Sequence, residues 1–404
     1  MITREYAACG ECGTVHVLRI GIGAEPMQAH QFACTHCGSE MNLRLEMGVG
    51  TTYGPNAIKA DPDDSAPIIN LHPSFVFGRD EIHSPRAFPS LVQGAKMIDA
   101  LLAARSRAGL PPTLDDLAIY GPPQARTTQE WDALRASWAL TRNGKPDLAA
   151  KRMKRFFDAY PYPDRPDTLA DWLFQFAAKL IQPLFEQNFE HLFEQLQVAV
   201  EHDDFSRFAH YYGTHLSADH GQRYFELMKA YLGQFTEFSQ VHHAVASGLP
   251  VDDTFRTGSA NFDATRMIYG NVFEAFASNV VVLALLNNLI AGRPFDTFEA
   301  LTFDDYFRLD KAGRFKAFAA NPSFAAICIE ADNQLRNASH HGEMTFDRSN
   351  GTIHYRAGKG GQGKVHTMSY ARYLARCATI FIEAMLLLRL ELLIADKFKV
   401  RWPL

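Results

Sequence analysis

Glu330-Ala331-Asp332-Asn333-Gln334-Leu335-Arg336-Asn337-Ala338-Ser339-His340-His341-Gly342 is the stretch on which the reading of this chain turns. It is polar where its flanks are apolar, and it gathers a guanidinium, a carboxamide and two imidazoles within six residues. The flanks predict a helix from Pro322 to about His341. A regular helix puts Arg336 and His340 one turn apart on one face, and turns His341 well away from Arg336. Gly342 suits the position just past a helix end. His341 would then lie in the last turn, where the helix dipole favours a protonated ring. An arginine stays charged and can grip a phosphodiester with two donors. A histidine exchanges protons near neutral pH. Together they suit phosphate chemistry.

Working outward, residues 370–395 read as a long helix, apolar on most faces and therefore buried. Between the two helices, Thr352 to Arg356 reads as a short strand. It enters the glycine-rich run Gly358-Lys359-Gly360-Gly361-Gln362-Gly363-Lys364, and Val365 to Met368 returns as the second strand of a hairpin. The run nearly matches a nucleotide-binding loop, but Val365 stands where a Mg²⁺-holding hydroxyl is needed, so that reading is rejected. Towards the N-terminus, helical patterns cover Ser90–Arg107, Thr128–Thr141, Pro146–Tyr160, Asp167–His202, Asp204–Leu216, Ala218–Leu232 and Phe262–Leu289.

Residues 1–50 differ. Cys9-Gly10-Glu11-Cys12-Gly13 and Cys34-Thr35-His36-Cys37-Gly38 are two copies of one knuckle. Each glycine permits the tight turn that aims two thiolates at one ion. Four thiolates in tetrahedral array suit structural Zn²⁺, and a closed shell leaves no open position for catalysis. A module this small has little core, so the metal should supply much of its folding free energy. The ribbon reads first as purely structural; His16, Arg19, His30 and His36 are the residues through which it would touch nucleic acid or a protein partner. Cys328 and Cys377 lack partners at metal spacing and read as core residues.

The Arg336-Asn337-x-x-x-His341 pattern resembles the signature of HEPN domains. That resemblance implies an all-α helical-bundle domain and, for many members, a metal-independent endoribonuclease. His341 would be general acid or base, Arg336 would stabilise the phosphate charge, and Asn337 would orient His341 or the phosphate. RNA would be cut by attack of its own 2′-hydroxyl, and DNA spared. The resemblance further implies a homodimer with a composite active site, a role in antiphage defence or a toxin system, and a possible regulatory or antitoxin partner. His340, Arg356, Lys359 and Lys364 are candidates for holding the RNA backbone. The alternative is a non-catalytic dimerisation scaffold that binds nucleic acid or protein.

The expected organisation is mainly α: a zinc ribbon at 1–50, a linker at 51–75, a helical middle region at 76–202 and a HEPN-like domain at 203–404. The 404 residues carry 40 Lys and Arg against 45 Asp and Glu, a net charge of −5, which excludes a wholly basic nucleic-acid binder. The Lys and Arg cluster instead in residues 351–404. The apolar runs read as too short or too charged to span a bilayer, and the N-terminus lacks a signal-peptide pattern, which points to the cytoplasm.

Overall fold

The computed structural model describes residues 2–23, 27–85, 90–107, 127–160, 162, 164–340, 343–356 and 363–404. About 52% of the chain is helical, with a small β-rich region at the N-terminus. The chain forms two compact units, each assembled from separated stretches. One holds Met1–Leu110, Gln234–Tyr269 and Gln334–Ala378; the other holds Pro111–Gly233, Gly270–Asn333 and Thr379–Leu404.

In the first unit, β1 (Ile2–Cys9) and β2 (Val15–Gly21) pair antiparallel, as do β3 (Met27–Ala33) and β4 (Glu40–Glu46). The segment expected as a linker is built into these sheets. Here β5 (Gly50–Tyr53) pairs with β4, β6 (Ala57–Lys59) pairs with β1, and β7 (Ile68–Leu71) runs parallel to β2. The inward residues, among them Leu18, Ile20, Met41, Leu43, Ile69 and Leu71, make one apolar cluster. The ribbon therefore has a core of its own, completed by residues that composition alone assigns to a linker.

Next come β8 (Val76–Gly78), α1 (Ser90–Arg107) and, in the second unit, α2 (Thr127–Arg142) and α3 (Pro146–Ala159). The continuous helix expected over Asp167–His202 is two, α4 (Leu169–Ile181) and α5 (Glu186–Val200). Pro183 lies in the gap, and its missing N–H and fixed ring oppose a continuous helix. Then α6 (Phe205–Tyr211) runs through a π-helical turn, Tyr212–Leu216, into α7 (Ser217–Leu232). Two first-unit elements follow, α8 (Phe235–Ala246) and β9 (Phe255–Thr257), the latter paired with β8.

Helices α9 (Phe262–Thr265), α10 (Ile268–Asn279) and α11 (Val281–Ile290) divide the expected Phe262–Leu289 helix. This run, Phe262–Ile290, is long and apolar enough to cross a membrane, against the expectation that every apolar run is too short or too charged. Its apolar window is 78% buried within the protein, as a core helix would be.

Past α12 (Phe303–Arg308) and a 3₁₀ turn at Gly313–Phe318, the expected Pro322–His341 helix is also broken. It is α13 (Pro322–Ala325) and α14 (Asn333–His340). Between them the Glu330 N–H is diverted to the Glu383 carboxylate, 3.0 Å away, instead of serving a helix. The hairpin is present as β11 (Thr352–Arg356) and β12 (Val365–Ser369), with a further strand, β10 (Met344–Asp347), on its edge. Finally α15 (Tyr370–Phe398) is buried along most of its length, as its apolar faces require.

In the second unit the buried Glu391 carboxylate accepts from the Tyr212 and Tyr224 hydroxyls at 2.8 and 2.7 Å, and faces His220 Nδ1 at 3.0 Å. Arg389 binds Glu186 at 3.0 Å and lies over the Phe189 ring.

Candidate metal centre and the Arg-Asn motif

Each knuckle sits in the turn of a hairpin, so the strand pairing of β1–β2 and β3–β4 delivers the cysteines. Gly13 and Gly38 have φ of 72° and 73°, the left-handed conformation the tight turn needs. Their N–H groups close onto the Cys9 and Cys34 carbonyls at 2.8 and 3.0 Å. All four thiol sulfurs lie within 4.8 Å of one another. The cross-knuckle Cys9–Cys37 and Cys12–Cys34 separations are 3.7 and 3.6 Å. A tetrahedron with Zn–S bonds of ~2.3 Å has sulfur–sulfur edges of ~3.8 Å, so the donor set fits that ion.

The surroundings are prepared for thiolates. The Thr14 hydroxyl lies 3.3 Å from Cys12 Sγ, and the Ser39 hydroxyl 3.3 Å from Cys37 Sγ. Thr14, through its hydroxyl and then its N–H, holds the Cys12 thiol down to about 5, and Ser39 lowers Cys37 likewise. Cys34 is pushed up to about 12 by burial, so a cation would have to repay its ionisation.

Two outer residues tie the knuckles together. His16 Nε2 lies 3.2 Å from the Thr35 N–H and accepts it, which couples β2 to the second knuckle. Asn56 takes the Gly10 N–H on its carbonyl at 3.1 Å and donates its side-chain amide to the Glu40 carbonyl at 2.8 Å. Asn56 has φ 58° and was missed because it lies in the expected linker; the Gly54-Pro55-Asn56 turn after Thr51-Thr52-Tyr53 was the available signal.

The expectation that His16 and His30 face nucleic acid is wrong. Both are buried, and burial pushes His30 down to about 3. They fall on the inward register of β2 and β3. Arg19 donates to the Ser84 carbonyl at 3.1 Å, whereas His36 is exposed. Cys377 is buried and Cys328 half-buried, with burial raising the Cys328 thiol.

The Arg-Asn motif is carried by α14. Leu335, Ala338 and Ser339 bury its inner face, and the Ser339 hydroxyl donates to the Arg266 carbonyl at 2.6 Å. Arg336, Asn337 and His340 are left half-buried beside that face. Arg336 Nη1 donates to Asn337 Oδ1 at 2.7 Å, so Asn337 orients the guanidinium. Tyr373 adds its hydroxyl to the same Arg266 carbonyl at 2.8 Å, pinning α9. Arg356 and Lys364 are exposed at the β11–β12 end. His341, Gly342 and Lys359 lie outside the described residues.

No family model matches the chain, and no curated protein or solved structure matches it either.

Proposed function

We propose that the chain is a metal-independent endoribonuclease of the HEPN type, carrying a structural zinc ribbon. The observation that carries this reading is the Arg336–Asn337 pair: a guanidinium held at 2.7 Å by its neighbour on a half-buried helical face. A preset guanidinium stabilises charge as it develops on a pentacoordinate phosphorus. His341, one residue past α14, supplies the proton transfer, as base toward the 2′-hydroxyl or acid toward the 5′-oxygen. The products are a 2′,3′-cyclic phosphate and a 5′-hydroxyl. A second copy of the chain completes the site. His340, Arg356, Lys359 and Lys364 attract the backbone, and the biological setting is defence or a toxin system. Cys9, Cys12, Cys34 and Cys37 would hold Zn²⁺ as a saturated structural centre that takes no part in the chemistry.

The test compares wild type with Arg336→Ala and His341→Ala on RNA and DNA in EDTA. Expected are RNA cuts with cyclic-phosphate ends by wild type alone, and intact DNA. Equal cutting by all three proteins would overturn the assignment, as would an absolute need for added Mg²⁺. A wild type that binds RNA without cutting it would favour the scaffold reading.

A further inference from the structure

A cleft of about 1000 Å³ opens in the first unit, beside the second knuckle. Its walls come from the second knuckle, β7, the β8–β9 pair and the turn between β10 and β11. Arg79, Arg256, Arg348, His36 and His83 line it over an apolar floor that includes Phe346, and the lining contains no aspartate or glutamate among the described residues.

The strand register explains the clustering. Arg256 stands opposite Phe77 across the β8–β9 pair, and Arg79 is two residues beyond Phe77 on the same face. Arg79 is further fixed by its N–H to the Thr254 carbonyl, 2.8 Å. The Arg256 guanidinium donates to the backbone carbonyls of Phe255 at 3.0 Å and Asp253 at 3.3 Å. Gly351, where a Cβ would sit 3.2 Å from Arg256 Cδ, packs against its stem. Burial and then the Arg79 charge lower the Arg256 pKa, against a smaller opposing pull from Asp253, so the two cations oppose each other. Arg348 is already paired, to Glu40 and, at 3.8 Å, Asp263. Two neighbouring guanidiniums on a cavity lined by no carboxylate among the described residues, with the knuckle sulfurs and Asp253 as the nearby negative groups, form a site that an anion would join favourably. The apolar floor suits a ring.

We propose that this cleft binds a phosphorylated ligand of nucleotide chemistry, its phosphate between Arg79 and Arg256 and its base over the apolar floor. The source is either a strand of RNA or a free nucleotide. The proposal does not depend on the ribonuclease reading, because its test reads binding alone.

The probes are a fluorescent single-stranded 2′-O-methyl oligonucleotide, which cannot be cut through its 2′-oxygen, and ATP as competitor and by calorimetry. Arg79 is exposed, so Arg79→Glu should fold; Arg256→Gln is the second variant, and circular dichroism and zinc content are followed in both. Expected is a loss of about tenfold or more in affinity for each variant, with a shallower salt dependence. Loss for the oligonucleotide identifies a strand as the source; loss for ATP alone identifies a free nucleotide. Affinity for both probes unchanged by either variant, or no binding of either probe by wild type, would overturn the proposal. So would variants that shed zinc while keeping affinity, since the arginines would then merely offset the thiolate charge.

Discussion

His16 accepts the backbone N–H of Thr35, from the second knuckle, at 3.2 Å, although the two residues are separated by two strands' worth of chain. The bond fixes the second pair of thiolates relative to the sheet that carries the first. Outer residues of this kind set the geometry of metal ligands, and their loss typically weakens binding by about 10–100-fold. His16→Ala should therefore release metal to a colorimetric chelator more readily than wild type, by that order. His30→Ala serves as a control for simple loss of a buried imidazole. Equal metal retention in wild type and His16→Ala would show the bond to be incidental.

Removing the metal should have a graded effect. The apolar cluster of Leu18, Met41, Leu43, Ile69 and Leu71 remains when the ion leaves, unlike in a ribbon held by metal alone. Four thiolates at these distances would then repel, and Cys34 would return to its neutral form. Strong chelation should raise amide exchange around Cys9–Gly13 and Cys34–Gly38 while Leu43 and Leu71 stay protected. Exchange across all of residues 2–59 at once would mean the metal, not the core, holds the sheets.

The two knuckles, the hairpin and the burial of α15 were legible because their signals are local: repeated Cys-x-x-Cys-Gly, a glycine-rich turn and apolar residues on most faces. What failed was non-local. Strands β5, β6 and β7 are three or four residues long, and only their partners in β1, β2 and β4 make them strands. His16 and His30 read as surface residues because strand register, not residue type, decides which alternate positions turn inward. The break before α14 depends on Glu383, distant in sequence. The motif itself was readable, but not that Asn337 would orient Arg336, since adjacent side chains on a helix do not ordinarily face each other.

Gly221 lies inside α7, where alanine ordinarily favours the helix by about 1 kcal/mol. Here a Cβ would stand 2.5 Å from the Pro403 carbonyl carbon and 2.7 Å from the Leu404 nitrogen, both backbone atoms. Overpacking of this kind costs about 1–3 kcal/mol. Gly221→Ala should lower the unfolding midpoint, whereas Gly94→Ala in α1, whose nearest contact among the described residues would be 4.0 Å, should raise it. Urea unfolding of the pair checks this, and a stabilised Gly221→Ala would contradict the close approach.

Glu391 is fully buried and gathers Tyr212, Tyr224 and His220. Burial, then the Glu391 charge, raises both tyrosines well above their ordinary value of 10. Truncating one side of such a cluster leaves a buried polar group without its partner, at about 3–5 kcal/mol. His220→Ala should lose stability on that scale, and Glu391→Gln, which keeps the shape and one acceptor, should lose less. Equal losses would mean that the retained shape and acceptor preserve nothing, and that the carboxylate charge governs the cluster.

Glu383 is buried, and burial raises its pKa well above 4.5 despite the stabilising N–H of Glu330. A carboxyl raised in the folded state lends stability that is complete below its unfolded value of about 4.5 and is lost as pH rises through the folded value. Glutamine at this position can still accept the Glu330 N–H but never ionises. Glu383→Gln should therefore match wild type in acid and exceed it increasingly towards alkaline pH, with the gap opening above the ordinary carboxylate range. Thermal midpoints of both proteins across that range provide the measurement. A gap that stays constant with pH would show that Glu383 ionises in the fold without penalty, with its charge satisfied by groups beyond the Glu330 N–H.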